Sequence, residues 1–98
     1  MPIRATVEQA RTAIARLDVS RSVWEQCPSD VRTAIDLFAR ALHAAIATAD
    51  GPIIGEPERR EIERRRLQLI AVSDQCTPIT RDKILSVARI FDALAADH

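Results

Sequence analysis

The groups that could do chemistry in this chain are two thiols, two imidazoles and one dense run of charge. Cys27 and Cys76 are the only cysteines, and His43 and His98 the only histidines. A structural zinc takes four soft or nitrogen ligands. His98 is terminal, so no histidine pair is readable; two cysteines alone supply too few, and no metal or other cofactor is called for. A thiol nucleophile also needs a base within reach, and no readable spacing places one beside either cysteine. Both cysteines therefore read as small apolar groups near helix ends. No pair of titratable side chains is set for acid–base work, so the chain is not expected to be an enzyme.

The charged run extends from Glu58 to Arg66 and contains Ile62 as its sole apolar residue. On a helix turning about 100° per residue, Arg59 and Arg66 fall near Ile62, whereas Arg60 and Arg64 lie roughly opposite. The arginines therefore do not form one stripe. Glutamates stand three or four residues ahead of them: Glu56 before Arg59 and Arg60, Glu61 before Arg64 and Arg65, Glu63 before Arg66. That order supports an exposed, internally paired helix. Arg59 and Arg66, on the apolar side, could cover a core edge with their stems or meet a partner carboxylate.

Two short resemblances bear on function. A long helix bearing His43 resembles a histidine phosphotransfer bundle, but Ile46 and Ala47 stand where that family places Lys and Gly after its histidine. His43 reads as a surface residue. The segment Ala49-Asp50-Gly51, followed by Ile53 and an acid-rich helix start, resembles the interhelical turn of TerB-like tellurite-resistance domains. The likeness covers only that stretch, with Pro57 in place of an acid, and implies no function for this chain. Asp50 also lacks the alternating oxygen ligands of a calcium loop.

The elements that position these residues are helical. Thr6 and Gln9 have capping-box spacing ahead of a face carrying Val7, Ala10, Ile14 and Leu17. A short turn from Arg21 to Cys27 carries Val23 and Trp24, and Pro28 stops it. Ser29 is expected to cap the central helix, from Asp30 to about Ala49. Its apolar arc holds Val31, Ala34, Ile35, Phe38, Ala41, Leu42, Ala45 and Ala49, and Arg32, Asp36, Arg40 and His43 lie opposite. After the Gly51–Gly55 loop, the next helix is expected from Pro57 to about Asp74. Thr80 is then expected to cap a last helix from Arg81 to about Ala96, with Ile84, Val87, Ala88, Phe91, Leu94 and Ala95 on one side.

A shift of 49 residues pairs Val23 with Val72, Gln26 with Gln75, Cys27 with Cys76, Ile35 with Ile84, Ala39 with Ala88, Arg40 with Arg89, Ala44 with Ala93 and Ala47 with Ala96. Alanine abundance inflates such a match. Its physical reading is two related helical hairpins about an approximate internal twofold.

Composition sets the remaining limits. Of 98 residues, 47% are apolar, and Trp24, Phe38 and Phe91 are the only aromatics. Two glycines and five prolines argue against a turn-rich β chain, and the apolar content against intrinsic disorder. The expected fold is all-α, one domain over 1–98 built as a small four- to five-helix bundle. Fourteen basic and fourteen acidic residues cancel, so no general grip on nucleic acid or anionic lipid is expected. No apolar run approaches a membrane span, and Met1 to Ala13 carries charge where a signal peptide would be apolar. The expectation is a cytoplasmic chain with free thiols.

The function expected is a non-catalytic protein-interaction or regulatory module acting through apolar helix faces, with a second copy of the chain as the first partner to test. The alternative is a small nucleic-acid-binding regulator using the Arg-rich helix 57–74. The partner-binding candidates are Trp24, Leu37, Ile53, Ile54, Arg59, Arg66, Leu85 and Ile90. Ile53 and Ile54, adjacent and β-branched in a loop, must either fold back as a lid or meet a partner.

Overall fold

A computed structural model describes residues 5–17 and 21–91. The described residues form an all-α bundle: α1 (Val7–Arg16), α2 (Arg21–Gln26), α3 (Ser29–Thr48), α4 (Glu56–Val72) and α5 (Pro78–Arg89), with a 3-10 turn at Ser73–Gln75. The first signal in the sequence is realised in full. The Thr6 hydroxyl accepts from the Gln9 N–H at 3.1 Å, and the Gln9 carboxamide accepts from the Thr6 N–H at 2.9 Å.

Two helix starts differ from expectation, and a proline stands at each. Ser29 is the first residue of α3 and not its cap; Pro28 occupies the cap position in extended backbone and makes no side-chain bond. Likewise Thr77 caps α5, Pro78 opens it, and Thr80 is buried within its first turn. At α5 Pro78, next to the cap, sets the helical φ in advance, whereas at α3 the proline is itself the cap and has no hydroxyl to offer. Residues 92–98, which include the expected core positions Leu94 and Ala95, lie outside the described residues.

α3 is central, packing most extensively against α4 and then α1. Seven of the eight residues of its expected arc are buried: Val31, Ala34, Ile35, Phe38, Ala41, Leu42 and Ala45. Phe38 meets Phe91 with ring centroids 6.3 Å apart and planes tilted by 54°, a geometry that suits the quadrupoles of both rings. Arg32, expected on the polar face, is half-buried.

The 49-residue shift is visible in the backbone. Val7 and Glu56 open α1 and α4, and Ser29 and Pro78 open α3 and α5. Pro28 (φ −57°, ψ 154°) and Thr77 (φ −61°, ψ 156°) share one conformation. The Arg32 N–H donates to the Pro28 carbonyl at 3.0 Å and the Arg81 N–H to the Thr77 carbonyl at 2.9 Å. Upstream, the Cys27 N–H donates to Trp24 and the Cys76 N–H to Ser73, both at 3.1 Å. Buried positions follow the same register, with Val31 matched by Thr80, Ile35 by Ile84, Phe38 by Val87 and Leu42 by Phe91.

The loop before α4 returns to the segment before α1. Thr6 and Ile53 form an isolated antiparallel bridge; the Val7 N–H donates to the Pro52 carbonyl and the Ile54 N–H to the Ala5 carbonyl, each at 2.9 Å. Gly51 permits the turn, since its φ of +100° is one that side-chain-bearing residues rarely adopt. Ala5 and Ile54 are equivalent under the 49-residue shift. The packing does not follow the shift throughout: α3 packs extensively on α4, whereas the matched pair α5 and α1 meets far less.

Candidate functional site

Every expected Glu–Arg pair forms. Glu56 reaches Arg60 at 2.6 Å and Arg59 at 3.8 Å, Glu61 holds both Arg64 and Arg65, and Glu63 meets Arg66 at 2.8 Å. The Arg65 hydrogen bond, seconded by Arg64, holds the Glu61 carboxyl below its ordinary range. The exposed pairs Glu56–Arg60 and Glu61–Arg64 lie on solvated helix surface and each contributes little to stability.

The Glu63–Arg66 pair is different. Arg66 is 3% exposed, and its Nε and one terminal nitrogen donate to the two carboxylate oxygens of Glu63 at 2.8 Å each. Its other terminal nitrogen points at the Ala88 carbonyl of α5 at 3.5 Å. The fork geometry satisfies both charges within the core edge, and α4 is thereby tied to α5. Arg66 therefore serves the bundle itself and is not a surface that a partner could reach.

The remaining sequence candidates separate by exposure. Ile54 is 3% exposed and sits in the core, which answers the lid-or-partner question for that residue; Ile53 beside it is 37% exposed. Trp24 and Ile90 are half-buried against the core, Leu85 is half-buried on α5, and the Arg59 stem is largely covered. Leu37 is half-buried in a shallow groove of about 360 Å³ between α3 and α4, lined also by Ala34, Thr33, Asp30, Gln68, Ala71 and Val72.

The sequence reading missed two of the most exposed large apolar side chains: Leu67, 51% exposed on α4, and Ile79, 84% exposed in the first turn of α5. Leu67 precedes Ala71 by one helical turn and so flanks the groove. Ile79 was hidden by placing the helix start at Thr80. Had Pro78 been read as the opening residue, Ile79 would have been placed on a helix instead of in a loop.

Ile79 lines a second cleft, of about 390 Å³, whose wall carries Cys27 and Cys76 together with Gln26, Gln75, Val23, Pro28, Thr77 and Thr80. The two Gln-Cys dipeptides, 49 residues apart in sequence, thus meet. Cys27 is buried and Cys76 half-buried, both as free thiols. The Cys27 S–H donates to the Val23 carbonyl at 3.3 Å, and Cys76 lines the same cleft. Burial, followed by this neighbouring thiol, pushes the Cys76 thiol up from its ordinary value. Among the described residues no group of three His, Cys, Asp or Glu side chains could hold a metal ion. No described helix is long and apolar enough to cross a membrane.

No family model matches the chain, and neither a curated protein nor a solved structure matches it.

Proposed function

We propose that the protein is a non-catalytic helical interaction module of the cytoplasm that pairs with a second copy of itself through the groove between α3 and α4. The observation that carries this reading is the apolar strip of Ala34, Leu37, Ala71 and Val72 in that groove; Leu67, one helical turn before Ala71, adds an exposed apolar side chain on α4. The groove lining has one charged residue, Asp30, and its other polar groups, Thr33 and Gln68, are neutral. A chain of zero net charge also has no self-repulsion to keep copies apart. A twofold pair burying one face against itself is the commonest oligomer.

Light scattering across a dilution series tests the proposal. The expected molar mass exceeds the 10.9 kDa of one chain at micromolar concentration and falls toward it on dilution. The double variant Leu37→Glu with Leu67→Glu is expected to remain at one chain's mass with its helical circular dichroism intact. A wild-type value fixed at 10.9 kDa overturns the proposal.

The nucleic-acid alternative is disfavoured by the engagement of the α4 arginines with glutamates, since phosphates would have to displace carboxylates already in place. Retention on DNA or RNA that weakens steeply with salt, and is lost on replacing Arg60, Arg64 and Arg65, would reverse that preference.

A further inference from the structure

We infer that Cys27 and Cys76 form a reversible dithiol–disulfide site, oxidised by a low-molecular-weight disulfide that enters the cleft beneath Ile79. Four observations converge on it. The two residues occupy matched backbone positions, each at the end of a helical turn with its N–H donated to the residue three back at 3.1 Å. They line one open cleft, and Cys27 lies near enough to Cys76 to perturb its thiol. The Cys27 S–H is directed to the Val23 carbonyl, so its sulfur lone pairs are available to Cys76. Each cysteine is followed closely by a proline-marked helix start, which leaves both in short connections and not in helix interiors.

The difference in exposure assigns the order of events. Cys76, the more accessible, loses its proton and attacks one sulfur of the small disulfide. A bond from Cys76 Sγ to that sulfur forms, the small disulfide's own S–S bond breaks, and one small thiolate leaves. Cys27 then loses its proton and attacks Cys76 Sγ, forming the internal disulfide and expelling the second small thiolate. Two electrons pass from the protein sulfurs to the small disulfide, and the two protons reach the two departing thiolates. The raised pKa of Cys76 keeps the attacking thiol protonated and slow to react at neutral pH, so oxidation requires a sustained excess of oxidant. The new bond would join the connection before α3 to the connection before α5, and so tie the two halves covalently.

The full chain is incubated with glutathione disulfide, quenched with a maleimide and weighed intact under denaturing conditions. The expected product is a single chain lighter by two hydrogens, carrying no maleimide and no glutathione, and restored to two maleimide sites by dithiothreitol. In Cys27→Ser, the reaction is expected to stop at one glutathione on Cys76. In Cys76→Ser, the buried Cys27 is expected to stay unmodified until denaturant is added. Two glutathiones on the wild-type chain, or covalent dimers in place of the internal bond, would overturn the proposal. The wild-type mass decides the matter whether or not either variant folds.

Discussion

The two halves of the molecule share a backbone register but differ in what they bury. In α1 the positions facing the core are Ala10, Ala13, Ile14 and Leu17; the matched positions of α4 are Arg59, Ile62, Glu63 and Arg66. An aliphatic pair in the first half is thus replaced by a closed ion pair in the second. Both solutions cover the edge of the same core, but they work differently. The aliphatic pair gains by leaving water, whereas the ion pair must first lose its hydration and then recover that cost through bidentate geometry. Matched backbones therefore need not imply matched energetics.

The largest effects expected are at the ring contact that closes the bundle. Phe38→Ala and Phe91→Ala should each cost about 3 to 5 kcal/mol in urea denaturation, the range for truncating a fully buried ring. A loss below about 1 kcal/mol at either site would show that the half containing it is loosely packed.

The comparison itself can be broken at α4. Arg66→Ala alone should cost roughly 3 kcal/mol, because it leaves the Glu63 carboxylate buried without a counter-charge. The double change Glu63→Ile with Arg66→Leu installs the residues of the first half. It is expected to be neutral or stabilising by about 1 to 4 kcal/mol. A double variant as unstable as the single one would mean that the two helices sit in environments that are not equivalent.

The helix starts give a smaller contrast. Thr6 and Gly55 are matched cap residues, but only Thr6 makes a side-chain cap bond. Thr6→Ala should cost about 1 kcal/mol by removing the hydroxyl half of the capping box while the backbone N–H of residue 6 still donates to Gln9, whereas Gly55→Ala should lose no such bond. At Gly55 an added Cβ would meet the Glu58 carboxylate, the far end of a flexible side chain that can turn aside. Equal costs at the two sites would remove the distinction.

The smallest effect concerns pH. Because the folded Glu61 carboxyl titrates below its ordinary value, its stabilising contribution is complete above about pH 4.5 and is lost as pH falls through the lowered folded value. Its exposure keeps the contribution below about 1 kcal/mol. Glu61→Gln should therefore lower stability at neutral pH by less than about 1 kcal/mol and flatten the acid limb of the stability curve by the same small amount. A fall in stability at neutral pH comparable to that of Arg66→Ala would show the surface pairs to be coupled to the core.

Much of this was legible in the sequence where one local rule decides the outcome. The capping box at Thr6, the apolar arc of α3 and the glutamates ahead of each arginine on α4 all depend on spacing within one helix. The burial of Arg66 was not legible. Its place near Ile62 was, but whether a stem lies on the core edge or its head is enclosed depends on how closely α5 approaches. Ile54 was ambiguous for the same reason, since its fate depends on the bridge to Thr6. The shift of 49 residues could be read through α3 and α5, where Ile35 meets Ile84 and Ala39 meets Ala88 in alignment. It could not be read through α1 and α4, where Ile14 and Leu17 face Glu63 and Arg66 and the polarity reverses.

The bridge between Thr6 and Ile53 also governs when the protein can fold. Contacts that span half the chain close large loops, and their entropy must be met before any contact energy returns. During synthesis the segment before α1 emerges first and waits without its partner, while α3 lacks α4, the helix it packs against most. The first half leaves the ribosome as a set of amphipathic helices with an open apolar face. Completion of the bundle is thus a late event, set by the arrival of residues beyond Ile53, and until then the nascent chain is the form of this protein most in need of a chaperone.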